Sequence, residues 1–572
     1  MATKVVVDPI TRIEGHLRIQ AQLDSANQIV EAQSTSAMFR GIELIARDRD
    51  PRTIWALVQR ICGVCTTVHA IASLRAVEDA LKIKIPKNAD LIRKIIITAQ
   101  NAQDHLVHFY HLHAVDWVDV VSALKGDPKE AADIAKNVIK TKYPKSTEGY
   151  FLDVKKKLAT FAESGQLGIF ANAYWGHPAY KLPPSVNLIA VAHYLEALNF
   201  QKEIVKIHAI FGGKNPHLNF IVGGMPCAIN LDAVDAINME RLNRVAQIID
   251  DTIYFINEVY VKDLVAVASF YKNWLYGGGH SKNAVLAYGE FATEPGDYST
   301  NMIPGGVVLN GDLSKVYDVD IENPEIFQEH TTHSWYENKQ DALHPYDGET
   351  SFKYAGPEAP WEWLDENAKY SWLKSPRWKG LPCEVGPLAR YIVAYARGYQ
   401  PVVDQVNWLL STLKVPVTAL FSTLGRTGAR CLEAQHWADL LKQYYNELIA
   451  NIKSGDTKTA NTEKWDPATW PSEAHGVGLH EAPRGALAHF IKIKDGKVAN
   501  YQCVVPSTWN AGPRDAKNQR GPYEESLVGT PMADPHQPLE IIRTIHSFDP
   551  CIACGTHVID LKGNTLADVK IL

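Results

Sequence analysis

Arg60-Ile61-Cys62-Gly63-Val64-Cys65-Thr66-Thr67-Val68-His69, near the start of the chain, and Asp549-Pro550-Cys551-Ile552-Ala553-Cys554-Gly555-Thr556-His557, near its end, decide how the rest is read. Each carries a Cys-x-x-Cys pair with a histidine three or four residues further on. Four thiolates that converge make a soft, electron-rich site suited to zinc, nickel or iron–sulfur chemistry. A pair at each end requires a fold that brings both ends to one interior point. If Cys65 opens a helix from Thr66, its thiolate gains from the N-terminal dipole, and His69 lies one turn on over the same face.

The 572 residues are 46% apolar and 21% charged, which excludes a disordered tail protein or a disulfide-dense mini-domain and allows a large buried core. Length alone allows about four domain-sized units. A net charge of −6, from 58 basic and 64 acidic residues, offers no basic field for nucleic acid or an anionic membrane. Eight cysteines are too sparse for a disulfide framework. At the N-terminus Val5-Val6-Val7 is too short for a signal peptide, and the apolar run from Leu188 is broken by His193 and Glu196. The chain reads as soluble, with any export or anchoring supplied by a partner.

Strands are expected over His16–Leu23 and Gln28–Ser34, joined by the turn Asp24-Ser25-Ala26-Asn27. Helical periodicity follows over Thr66–Leu81, Ala89–Leu124 (one helix or two), Ser185–Phe211 with Gly212-Gly213 as its stop, Asp232–Tyr271, Pro387–Leu413 and Arg426–Ile452. From about Tyr276 to Pro382, crowded Gly, Pro, Trp and Tyr predict irregular but ordered structure. Asp495-Gly496 between Ala488–Lys494 and Lys497–Pro506 is a strong hairpin signal. The expectation is a predominantly helical α+β protein, a core of long packed helices with peripheral β-hairpins near both ends. We read it as one unit over 1–572: an N-terminal β region (1–57), helical core (58–275), irregular aromatic-rich region (276–382), more helical core (383–480), a C-terminal β and metal-site region (481–557) and an extension (558–572).

On spacing alone, a structural zinc site with four cysteine ligands is the common reading, with two unrelated pairs or a redox Cys-x-x-Cys as others. The flanking residues weigh against zinc alone. One pair opens a helix-rich core, and charge gathers around both pairs in Glu14, Glu43, Arg60 and Asp549. A scaffold gains nothing from burying such charge.

The chain closely resembles the large, catalytic subunit of nickel–iron hydrogenases. The resemblance runs over essentially the whole sequence, through Asp8-Pro9-Ile10-Thr11-Arg12-Ile13-Glu14-Gly15-His16, the two cysteine runs, Glu481-Ala482-Pro483-Arg484-Gly485 and Val505-Pro506-Ser507-Thr508-Trp509-Asn510. It is strongest to uptake-type enzymes that pair with an iron–sulfur small subunit. The resemblance implies the fold of those subunits and a nickel–iron centre with carbon monoxide and cyanide on the iron. Cys62 and Cys551 would be terminal thiolates on nickel, and Cys65 and Cys554 would bridge to iron. Glu14 would relay the proton released from dihydrogen through Cys551. Arg484 would act as base or, more in keeping with its chemistry, as an electrostatic positioner oriented by Asp104 and Asp549. Pro483 and Ser507 would line the cyanide pockets. A magnesium ion would be held by Glu43, the backbone carbonyl of Cys503 and His557. Cys227, Cys383, Cys431 and Cys503 have no partner spacing and read as ordinary buried cysteines.

Fifteen residues, Val558 to Leu572, follow His557. In related precursors a maturation endopeptidase removes such a tail after the histidine, so the chain reads as a precursor. The expected function is reversible oxidation of dihydrogen, with electrons leaving through the small subunit. A periplasmic location, membrane-associated through that subunit or a further anchor subunit, follows by analogy. The readings from other classes are a non-catalytic subunit like that of respiratory complex I, which has lost the thiolates, and a zinc-stabilised scaffold.

Overall fold

The computed structural model describes residues 3–165, 173–275, 279, 282–337, 340–357 and 363–552. The turn at Asp24–Asn27 forms as its residues demand. The Asp24 carboxylate accepts from the backbone N–H groups of Ala26 and Gln28, and Asn27 takes the left-handed conformation that Asn tolerates. It joins antiparallel strands β2 (Leu17–Leu23) and β3 (Ile29–Ser36). A third strand, β1 (Thr3–Val7), pairs with β2 from Thr3 opposite Leu23 to Val7 opposite Ile19. Sequence reading passed over it, because only Val5 and Val7 turn inward and the run is too brief to declare itself.

The helical core contains α1 (Val68–Ala80), α2 (Lys87–Val107), α3 (Pro184–Ile204), α4 (Met239–Phe255), α5 (Pro387–Ala396) and α6 (Thr423–Lys453). The long helices α2 and α6 pack along each other. Ser422 caps α6 by accepting from the Gly425 N–H. Several expected helices are shorter than their periodicity. The helix from Ala89 ends at Val107 and widens into a π turn over His108–His113, where His108 and His113 bond to distant groups. The Ser185–Phe211 stretch breaks at Val205 and stops, as expected, at Gly213 in the left-handed conformation. The helix expected from Asp232 starts only at Met239, where the Asn238 side chain accepts from the Arg241 N–H. The Pro387–Leu413 stretch divides around Gly398, whose φ is +71°. The region after Tyr276 holds short antiparallel pairs, such as Ala284–Ala287 with Gly306–Leu309, among irregular chain.

The C-terminal sheet has the order β4 (Glu473–Ala482), β5 (Gly485–Lys494), β6 (Lys497–Val504), all antiparallel. Its first strand lies eight residues ahead of the β region read from the sequence. Asp495-Gly496 makes the β5–β6 turn, both with positive φ. The sheet is largely buried, and β4 lies directly on α1. A side-chain carbon on Gly478 would stand 1.8 Å from the Ala72 carbonyl oxygen, and one on Gly476 would stand 2.4 Å from that of Ala76. Only glycine permits this approach. It sets the β4–β5 turn over the cysteines that precede α1.

Two further helices, α7 (Pro522–Leu527) and α8 (Leu539–His546), close the N-terminal sheet. Ile19, Ala21, Leu527, Ile541 and Ile545 share one apolar cluster, so both ends of the chain are built into one core. Beyond α8 the chain runs beside residues 10–14, with Glu14 N–H donating to the Pro550 carbonyl and Ile552 N–H to the Glu14 carbonyl. No helix among the described residues is long and apolar enough to cross a membrane.

Candidate metal centre

The Cys62–Cys65 turn is held by the Cys65 N–H, which donates to the Cys62 sulfur at 3.2 Å and so folds both side chains to one side. Cys551 arrives from the other end of the chain on the short parallel pairing with Glu14. Its Sγ lies 3.5 Å from that of Cys62 and 3.9 Å from that of Cys65, and all three are buried. Sulfur ligands on one metal, with bonds of about 2.3 Å at tetrahedral angles, stand about 3.8 Å apart. The three sulfurs therefore fit a shared soft metal. Val64, between the first pair, is 41% exposed, so the sulfurs sit just beneath the surface. Cys554 and His557 lie outside the described residues.

Around the sulfurs the structure gathers the other predicted groups. Glu14 Oε2 accepts from Cys551 Sγ at 3.3 Å. Burial, and then the charge of Cys62, push the Glu14 carboxyl up to about 7. Arg484 donates through NH2 to Asp549 Oδ1 at 2.9 Å, through Nε to the Asp549 carbonyl, and through NH1 to Asp104 Oδ2 at 3.3 Å. Two carboxylates thus compete for one guanidinium. Burial raises Asp104, the more distant, to about 8, partly opposed by Arg484. Burial also works against the charge on Arg484, but Asp549 and Cys551 hold it firmly protonated. Ser507 Oγ accepts from the Cys551 N–H at 3.1 Å, and with Pro483, Arg484, Cys65 and Cys551 it lines a small cavity.

Sequence reading missed the groups that hold this constellation. Arg390 on α5 is fully buried and makes a bidentate pair with Glu433 at 2.6 and 2.5 Å. The same guanidinium donates to Glu481 and to the carbonyls of Ala482 and Pro483, so it clamps the backbone that leads into Arg484. Glu433 also bonds His105 Nε2 at 2.7 Å, next in sequence to Asp104. A closed ring of buried groups thus returns to Arg484. His69 Nδ1 meets His489 Nε2 at 3.0 Å, and His489 Nδ1 meets the Tyr501 hydroxyl at 2.6 Å. This leaves His69 Nε2 for the cavity beside Cys65 and Cys551. Arg390, Glu433, His105, His489 and Tyr501 have no signature in local sequence, since each sits within a helix or strand that reads as ordinary core, whereas His69 and Glu481 lie in runs already singled out.

A second cavity is lined by Glu43, Glu329, Thr350, Lys374 and Cys503. Glu43 Oε1 accepts from the Cys503 N–H at 3.0 Å, and its Oε2 accepts from the Thr350 hydroxyl at 2.5 Å. The Lys374 ammonium stands 3.6 Å from both Glu43 and Glu329. Burial raises the Glu329 carboxyl to about 7, with Lys374 opposing. Arg60, expected among the buried charges, is instead exposed, because the 3-10 turn before Cys62 directs it outward. Cys383 and Cys431 are buried in apolar surroundings as expected, and Cys227 is half-buried.

Comparison with known proteins gives these sites a family. A model described as nickel-dependent hydrogenase matches residues 40–557, and a HoxL-like model matches residues 4–35. The chain is 56% identical to the uptake hydrogenase large subunit of Bradyrhizobium diazoefficiens, over 99% of this chain and 97% of that protein. It is 52% identical, with the same coverage, to the hydrogenase-1 large chain of Escherichia coli. Among solved structures, the oxidised nickel–iron–selenium hydrogenase of Desulfovibrio vulgaris Hildenborough superposes with a TM-score of 0.77 at 30% identity, over 97% of this chain and 100% of that one. With its fold and its full length so matched, the chain belongs to the nickel-dependent hydrogenase family, as a large subunit of the uptake type.

Proposed function

We propose that this chain oxidises dihydrogen reversibly to protons and electrons at a nickel–iron centre held by Cys62, Cys65, Cys551 and Cys554, and passes the electrons to an iron–sulfur small subunit. The observation that carries this reading is the meeting of buried sulfurs from residues 489 positions apart at 3.5 Å, beside a carboxyl and a guanidinium. When bound, such a centre, with carbon monoxide and cyanide on its iron, supplies soft redox-active metals and an open position at which dihydrogen is polarised.

The residues of the chain then handle the proton. A proton on Cys551 Sγ passes to Glu14 Oε2 across 3.3 Å. A carboxyl near 7 both accepts and releases protons at neutral pH, as a relay requires. Arg484 keeps its charge and serves as a fixed electrostatic wall rather than a base, its fork locked by Asp549 and Asp104. Ser507 and Pro483 shape the cavity on that side, where the cyanide ligands would sit. Glu43, which accepts from the Cys503 N–H, would hold a hard cation such as magnesium, with the Cys503 carbonyl and His557 as its further ligands.

With no other cysteines in a cluster-binding pattern, the electrons need a partner's clusters. The family match ends at residue 557, which supports removal of residues 558–572 by a maturation endopeptidase after His557. A periplasmic site, membrane-associated through the small subunit or an anchor subunit, goes with the uptake role. Elemental analysis of the processed complex tests the reading: nickel and iron near one each per chain are expected, and a near-complete loss of nickel in Cys62→Ser. Zinc alone, with no hydrogen oxidation, would overturn it.

A further inference from the structure

Asp116, at the end of the turn that follows α2, is wholly buried and is bonded by four side chains through five nitrogens. Arg12 NH2 reaches its Oδ1 at 2.6 Å, and the Nδ1 atoms of His113 and His546 reach Oδ2 at 2.9 and 2.7 Å. Arg543 donates to its carbonyl through Nε and NH2.

The proton positions follow from the partners. The Trp117 indole N–H, which can only donate, points at His113 Nε2 at 3.0 Å. His113 Nε2 is therefore an acceptor, and its proton is on Nδ1. The Nε2 of His546 faces the Thr11 carbonyl at 2.7 Å, which can only accept, while its Nδ1 faces the carboxylate. Both ring nitrogens of His546 therefore face oxygen acceptors, one on each of two separate stretches of chain. Burial alone would raise the Asp116 carboxyl, but Arg12, His546 and His113 together hold it well below the usual carboxylate range.

The side chain of His546 ties together two stretches of chain. His546 lies five residues before Cys551, and Thr11 lies three before Glu14. The bond from the His546 side chain to the Thr11 carbonyl joins the same two stretches of chain that pair further on through Glu14 N–H to Pro550 O and Ile552 N–H to Glu14 O. Arg12, between Thr11 and Glu14, is pinned to the same carboxylate and to the Leu112 carbonyl.

We infer that Asp116 and His546 are positioning residues that fix the separation of Cys551 Sγ from Glu14 Oε2, and thereby the rate of proton transfer between them. The inference rests on the proposed role of Glu14. In the processed, metal-loaded enzyme with its small subunit, Asp116→Asn is expected to raise amide exchange at Glu14 and Ile552. It should also lower kcat about 10- to 100-fold, with unchanged KM for dihydrogen and unchanged nickel and iron. The solvent deuterium isotope effect on kcat should rise. Combined with Glu14→Gln, it should cause no further loss, since both act on one step. His546→Gln, which keeps the volume but cannot span Asp116 and Thr11 with two ring nitrogens, carries the same expectations if Asp116→Asn does not accumulate. Unchanged exchange and kcat in the metal-loaded variant, or losses that multiply with Glu14→Gln, would overturn the inference. A Glu14→Gln enzyme of full activity would instead sink the relay itself, while amide exchange would still report on the latch.

Discussion

Arg390 shows what a single side chain does to a site it meets only through the backbone. One guanidinium faces two buried carboxylates, and geometry decides between them. Glu433, held bidentately, stays ionised and falls to about 2, because Arg390 outweighs the burial that would raise it. Glu481, with one contact, is raised by burial to about 7. Arg390→Ala would leave Glu433 in the core with only His105 as partner and free the carbonyls before Arg484. A loss of about 3–5 kcal/mol is expected, read from guanidinium unfolding against the parent. The same variant should lower hydrogen oxidation even in the fraction that retains its metals.

At the scale of elements, the close seat of β4 on α1 is what brings Pro483 and Arg484 to the cysteines. Gly478→Ala would drive a methyl group into the Ala72 carbonyl, backbone against backbone, with no flexible side chain to yield. Helix and strand must part. A cost above about 4 kcal/mol is expected, seen as a collapse in the yield of metal-loaded protein. Gly149→Ala is the matched control. It lies in the first turn of the helix over Glu148–Glu163, and nothing stands within 4 Å of the added carbon. There the melting temperature should hold or rise, as unfolded-state entropy falls by about 0.4–1 kcal/mol.

Across the whole molecule, Glu524 on α7 joins three distant parts of the chain. Its Oε1 accepts from the Ser34 N–H on β3 and from the Tyr370 hydroxyl, and Arg514 stands beside it. Burial raises its carboxyl from 4.5 to about 7, with Arg514 and the two donors opposing. A raised carboxyl stabilises the fold fully below its unfolded value and loses that contribution as pH rises through its folded value. Glu524→Gln, which cannot ionise, should therefore gain on the parent between pH 4.5 and 7, by up to about 3 kcal/mol. Melting temperatures of both proteins at pH 5 and pH 8 check the sign. A difference that shrinks with rising pH would contradict it.

The sequence by itself determined whatever depends on neighbours in the chain. The hairpins at Asp24–Asn27 and Asp495-Gly496 rest on turn chemistry, the helices over Val68–Ala80 and Thr423–Lys453 on apolar period, and the soft donor set on two Cys-x-x-Cys spacings. Glu14, Arg484 and Asp549 could be named because they sit in long, distinctive runs, and Asp104 only as the partner that the resemblance implies for Arg484. Only the tertiary structure decided which groups support them. Arg390, Glu433 and Asp116 draw their meaning from partners 43 to 430 residues away. Gly478 draws its meaning from a helix carbonyl, and β1 from pairing that exists only once β2 is in place. Local propensity records what a residue permits. Desolvation and contact, which settle what it does, are properties of the folded chain.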